Sequence, residues 1–257
     1  MIIYGINPVL EALRARRVRN LRVSARADKR VQEILRMAAA AHVGVQAVDA
    51  AELDRIARGR PHQGVAADVE EAPDYDVSDL VRTSGHAPLV VVLDGVEDPQ
   101  NFGAILRVAD AAGVDGVIRQ TRRAAAIDGV AAKASAGAIA HARIASVVNI
   151  ARAIEDLKAA NVWTVGLAGD APEAYTDLDL TLPTALVLGA EGEGLRRLVR
   201  ETCDRTASIP MLGHVGSVNV SVAAGIVLFE AVRQRRAAGR AGTAGSAGRK
   251  GPVDEVS

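Results

Sequence analysis

A chain of 257 residues, 49% of them hydrophobic but only 2% aromatic, can bury one large or two modest cores built from small aliphatic side chains. Its 31 basic and 31 acidic residues cancel, so any attraction for a polyanion has to come from local clustering. Cys203 is the only cysteine, which excludes an intrachain disulfide and predicts an intracellular, cytoplasmic protein; no stretch approaches the roughly 18 apolar residues of a membrane span, and the N-terminus lacks a signal-peptide pattern.

In chain order, residues 2–4 read as a short apolar strand, Gly5 as a turn, and Asn7 with Pro8 as the cap and first residue of a helix through 9–16. A strand at 21–23, helical spacing at Val31, Ile34, Leu35, Ala38 and Ala39, a strand at 43–48, a short helix at 51–57 and a strand at 64–69 complete a small α/β unit over 1–70. Residues 14–30 carry eight basic residues against one acidic, whereas 68–79 carry six acidic and no basic ones. The first run suits either a polyanion or a solvated arginine-rich surface. The acidic, proline-bearing EEAPDYD at 70–76 opens a linker over 71–88, with a short helix at 77–83. Five apolar residues in a row at 89–93, between Pro88 and Gly95, fit a strand buried on both faces, hence a parallel sheet covered by helices. The signature returns at 162–167 and 185–188, with an amphipathic helix at 150–160 behind Asn149, which predicts an open α/β domain over 89–236. From 237 onward AAGRAGTAGSAGRKGPVDEVS is poor in large apolar residues and predicts a disordered tail.

Three stretches share one plan of apolar strand, Gly/Asn/acidic loop and helix: DGVEDPQNFGAILRVADAAGVDGVI at 94–118, LVLGAEGEGLRRLV at 186–199 and IPMLGHVGSVNVSVAAGIVLFEAVRQRR at 209–236. Such turns gather unpaired backbone N–H groups and polar side chains at the end of a sheet, where a polar ligand can be held. Each polar residue also has a plain structural reading. Asn101 and Asn219 can be helix caps, Glu191 an acid favoured by a helix start, and Arg107 half of a surface salt bridge. The glycines of GAEGEG at 189–194 stand in the wrong order for a dinucleotide fingerprint. His42, His62, His86, His141 and His214 are scattered without ligand spacing, so no metal is expected.

Together the three blocks closely resemble the SpoU (TrmH) family of RNA ribose 2'-O-methyltransferases. Motif 1 stands as Asn101, Gly103 and Arg107, motif 2 as Gly189, Glu191, Gly192 and Gly194, and motif 3 as Ile209, Pro210, Ser217, Asn219 and Ser221. YGINPVLEAL at 4–13 and PHQGVAA at 61–67 resemble the family's small N-terminal RNA substrate-binding domain, an α/β fold similar to that of a ribosomal protein that binds kinked RNA. The resemblance implies a parallel-sheet SPOUT catalytic domain with a deep trefoil knot, which the rule against threaded chains argues against. It further implies a homodimer through the C-terminal helix region, S-adenosyl-L-methionine as methyl donor, and RNA as substrate. The nearest branch modifies a guanosine of 23S rRNA; tRNA methylation and a catalytically inert RNA-binding assembly factor are the alternatives.

Carried over residue by residue, the resemblance gives Asn101, Arg107, Glu191, Ser217 and Asn219 catalytic roles, and a donor pocket of Leu167, Gly189, Gly192, Ile209, Met211 and Val218. Position 218 is valine where the family usually has leucine. The family assigns proton removal to the arginine at position 107. A guanidinium with a pKa above about 12 is a poor base, and holding a phosphate or offsetting developing charge is the open alternative. For the dimer, Val220, Ala223, Ala224, Val227, Leu228 and Ala231 form a band too broad for a helix with one packed face.

Overall fold

Two sheets share one core in the computed structural model, which describes residues 1–24, 29–70, 73, 75–82, 85–122, 124, 125, 127 and 129–247. The first sheet holds β1 (Ile2–Tyr4), β2 (Val18–Ser24), β3 (Gly44–Val48) and β4 (Val65–Val69) in the order β1-β4-β2-β3. Strand β4 runs antiparallel to β1 and β2, and β2 is parallel to β3. Helices α1 (Ile6–Arg14) and α2 (Lys29–Ala40) cover one face and α3 (Ala50–Ala57) the other. Gly5 rather than Asn7 stands at the cap of α1, at φ 97°, and the Gln63 side chain accepts from Ile6 N at 3.0 Å.

After α4 (Val77–Val81) comes a parallel sheet of β5 (Leu89–Asp94), β6 (Gly116–Gln120), β7 (Ile144–Val147), β8 (Trp163–Leu167), β9 (Glu173–Ala174), β10 (Thr184–Gly189) and β11 (Arg205–Ser208), in the order β7-β6-β5-β10-β8-β11-β9. Its helices are α5 (Pro99–Ala111), α6 (Gly129–Ala134), α7 (Ile150–Ala159), α8 (Arg197–Thr202) and α9 (Val220–Ala247). All six residues of β5 are buried. Val90 and Val92 pack with α4, α7 and α8, while Leu89, Val91 and Leu93 pack with α5, α6 and α9. A strand covered on both faces has no polar side, which is why its sequence is an unbroken apolar run.

The two sheets are packed together as well as joined by chain. A Cβ at Gly129 of α6 would lie 2.4 Å from the ring of Tyr4 in β1. Across the same junction Arg17 Nη1 donates to Ala140 O at 3.0 Å and Lys133 Nζ to Pro61 O at 2.8 Å.

Three expectations change. The basic run at 14–30 is neutralised in part, because antiparallel β2 and β4 set three of its arginines beside the acidic run: Arg22 pairs with Asp68 at 2.8 Å, Arg19 with Glu70 at 3.3 Å, and Arg17 donates to Glu70 O at 2.8 Å; residues 25–28 of the run lie outside the described residues. The segment from 237, expected to be disordered, continues α9 to Ala247, since alanine-rich sequence propagates a helix that packing has already nucleated; residues 248–257 of that expectation lie outside the described residues. In α9 the band of Val220, Ala224, Val227, Leu228 and Ala231 is buried within this chain's own core, and Val222 and Phe229 are each 50% exposed.

Candidate active site

The chain builds β5, β6 and β7 outward on one side, crosses through α7 to β8 on the other, and inserts β10 between them. The reversal leaves a crevice at the carboxyl ends of the central strands, where open α/β sheets bind ligands. Here it is a cavity of about 530 Å³. Leu167, Gly189, Gly192, Ile209, Met211 and Val218, the six expected donor residues, all line it, together with Glu191, Ser217 and Asn219.

The motif 2 loop is closed on itself. Ala190 N donates to Gly194 O at 3.1 Å and Gly194 N to Ala190 O at 2.9 Å, with Glu191 and Gly192 at the tip. A Cβ at Gly189 would sit 2.1 Å from the carbonyl carbon of Gly194, and Gly192 and Gly194 hold φ of 82° and 69°. The sharp turn is therefore reserved for glycine.

Three loops meet in one hydrogen-bonded chain. Asp98 caps α5, accepting from Gln100 N at 3.0 Å, so the side chain of Asn101 is released from that duty. Asn101 Nδ2 donates to Glu191 Oε2 at 3.0 Å, and Asn101 Oδ1 accepts from Asn219 Nδ2 at 2.9 Å. Asn219 also fills the cap position, its Oδ1 accepting from Ser221 N at 2.9 Å and Ser221 Oγ at 2.6 Å. Asn219 therefore both caps α9 and joins the hydrogen-bonded chain.

Two expected residues stand apart. Arg107 is exposed, does not line the cavity, and makes no hydrogen bond or ion pair among the described residues. Six residues along α5 from Asn101 is about 240° around the axis, so the two side chains leave different sides of the helix. Gly103, which shares the side of Arg107, is needed by backbone: a Cβ there would lie 2.5 Å from Ala131 O of α6. Ser217 lines the cavity, but its hydroxyl joins no bond of the network among the described residues.

The SpoU rRNA methylase profile matches residues 88–229, and the profile for RNA 2'-O ribose methyltransferase substrate binding matches 2–75. The chain belongs to the SpoU rRNA methylase family. It is 44% identical over 236 residues to the 23S rRNA (guanosine-2'-O-)-methyltransferase RlmB of Haemophilus influenzae, covering 91% of this chain and 96% of that one. It is 48% identical over 212 residues to RlmB of a Burkholderia species, covering 82% and 86%. Among solved structures, the SpoU methyltransferase AviRb from Streptomyces viridochromogenes in complex with the cofactor AdoMet superposes with a TM-score of 0.79 at 30% identity, covering 92% of this chain and 91% of that one.

The cavity suits such a methyl donor. Its volume lies within the roughly 300–1,000 Å³ of small-molecule sites. Leu167, Ile209 and Val218 offer apolar contact for an adenine, the glycine turns offer backbone groups, and the lining carboxylates of Asp170, Glu191 and Glu193 favour a cationic sulfonium and ammonium. Arg200 also lines the cavity and donates to Asp170 Oδ2 at 2.9 Å, a bond that holds the Asp170 carboxyl below its ordinary range.

Two site features went unnoticed in the sequence. One is the Arg200–Asp170 pair, which carried no motif signal. The other is Asp94, whose side chain is fully buried at the end of β5 and paired with Arg196. A carboxylate ending a buried apolar strand was a readable sign of a partnered charge.

Proposed function

We propose that this chain transfers a methyl group from S-adenosyl-L-methionine to the ribose 2'-hydroxyl of a guanosine in 23S rRNA. The observation that carries the proposal is the convergence of Asn101, Glu191 and Asn219, from three separated loops, at the rim of one donor-sized cavity. The donor supplies an electrophilic methyl carbon on a sulfonium sulfur. The ribose oxygen forms a bond to that carbon as the carbon–sulfur bond breaks toward sulfur, and the hydroxyl proton must leave. Asn101 and Asn219 orient the hydroxyl through their fixed amides, which lowers the entropic part of the barrier. Glu191, an exposed carboxylate, is the proton-accepting group of the network. Arg107, whose guanidinium meets no partner among the described residues, holds an RNA phosphate rather than removing the proton.

With this function we read residues 1–70 as the RNA substrate-binding domain, related to the ribosomal protein fold that binds kinked RNA, 71–88 as the linker and 89–236 as the knotted catalytic domain. Val222 and Phe229 of α9, with Leu212 of the motif 3 loop at 99% exposed, support a homodimer, and a ribosomal RNA substrate is met in the cytoplasm.

The test is transfer of labelled methyl groups to 23S rRNA from cells lacking this gene, followed by nuclease digestion and mass spectrometry for 2'-O-methylguanosine. Asn101→Ala should lower the rate by about 100-fold while donor affinity stays within about threefold. Labelling of tRNA alone, or no labelling, would reject the reading.

A further inference from the structure

The loops that follow β5 and β10 are tied together at two levels. At the rim Asn101 Nδ2 donates to Glu191 Oε2 at 3.0 Å, between exposed or half-buried groups that water can reach. At the base Arg196 grips Asp94: its backbone N–H donates to Oδ2 at 2.9 Å, Nε donates to Oδ1 at 2.7 Å, and Nη2 also donates to Oδ1. The Asp94 side chain is 0% exposed, whereas that of Arg196 is 44% exposed. A carboxylate so buried needs both its counter-charge and its hydrogen bonds, so the lower tie stays made while the upper one can exchange with water.

Asp94 anchors the motif 2 loop at both ends. Gly189, where the loop leaves β10, is in ladder register with Asp94, and Arg196, where the loop enters α8, is bonded to the Asp94 side chain. Between these anchors the Ala190–Gly194 bonds close the turn, so the loop has little freedom of its own. The carboxylate of Glu191 is thereby set by the ladder at Gly189 and by the ion pair of Arg196 with buried Asp94. We propose that Asp94 and Arg196 are positioning residues for methyl transfer, acting through Glu191 by fixing the motif 2 loop against the motif 1 helix. The proposal rests on the function given above and adds to it two residues that are not among the expected site residues.

A merely structural pair would stabilise the fold without regard to Glu191, so the discriminating measurement is a double-mutant cycle on the full chain. The turnover number for 23S rRNA and the donor affinity are measured for Arg196→Gln and Arg196→Lys, each with and without Glu191→Gln. Arg196→Gln should lower turnover about 10- to 100-fold, as small misplacements at reacting groups do. Arg196→Lys, which keeps a cation and a donor but not the fork, should recover part of it. In the Glu191→Gln background the loss from Arg196→Gln should shrink below about threefold, because no carboxylate remains to be placed. Equal losses in both backgrounds, or no loss at all, would overturn the proposal. Should Arg196→Gln fail to fold with Asp94 left charged and unpaired, Asp94→Asn with Arg196→Gln removes both charges and permits the same comparison. A wild-type chain that methylates no RNA rejects the function; one that methylates RNA with additive losses rejects only the positioning role.

Discussion

A Cβ at Gly103 would come within 2.5 Å of both Ala131 O and Ala134 Cβ, so α5 and α6 touch through backbone at that point. Gly103→Ala should therefore destabilise the chain by about 1–3 kcal/mol through overpacking, read as a lower denaturation midpoint. An unchanged midpoint would mean that the helices have room to part. Cys203 makes a second case at this scale. Burial, with some help from the charge of Asp204, pushes its thiol up to about 12, and Sγ donates to Val199 O at 3.2 Å. The thiolate fraction at neutral pH is then negligible, and iodoacetamide should label the native chain far more slowly than the denatured one. Equal labelling rates would place the sulfur in solvent. Motif glycines and asparagines were readable singly, because each has a steric or hydrogen-bonding reason tied to its own turn. The separation of Arg107 from Asn101 needed the helix phase and the packing of α5 together.

Between α7, β8 and β11 a single carboxylate does the joining. Asp204 Oδ2 accepts from Thr164 N at 2.9 Å and Thr164 Oγ1 at 2.7 Å, and Oδ1 pairs with Lys158 Nζ at 3.0 Å. Burial pushes this carboxyl up, but the bonds from Thr164 and Lys158 together outweigh it and hold the pKa below the ordinary value. A depressed native pKa means that the stabilisation is complete above the unfolded value of about 3.9 and is lost as pH falls through the native one. Denaturation midpoints should accordingly drop on acidification below about pH 4, and Asp204→Asn should flatten that drop while lowering stability near neutrality. A parallel pH profile in the variant would remove Asp204 from the account. At this scale β5, β8 and β10 were legible as short apolar runs, whereas β6 ends in Arg119 and Gln120, and β11, expected as an apolar strand stopping at Pro210, reads Arg-Thr-Ala-Ser and ends at Ser208. Those two strands exist through ladder bonds to their neighbours, and a polar sequence gives no periodic sign of that.

Among the described residues Val222 and Phe229 on α9 are each 50% exposed, and Leu212 in the motif 3 loop is 99% exposed. Apolar area of that kind beside a site is the mark of an interface. Phe229→Glu should convert a dimer to a monomer by light scattering and leave the far-ultraviolet circular dichroism unchanged. A wild-type chain that is monomeric at tens of micromolar, in the range where weak dimers dissociate, would remove the interface from the proposal.

Local sequence determined the apolar strands β5, β8 and β10 and the amphipathic helix α7, where glycine must stand, and which polar residues belong to the three loops, because sterics, hydrophobic period and turn chemistry act over a few residues. Tertiary structure alone decided that Arg19 and Arg22 of the basic run meet Glu70 and Asp68 of the acidic one across β2 and β4, that Asn101 meets Asn219 and Glu191 while Arg107 does not, and that Asp94 holds both ends of the motif 2 loop. Those outcomes depend on strand order and helix phase. Both are set by how the buried faces fit together, which no short window of sequence contains.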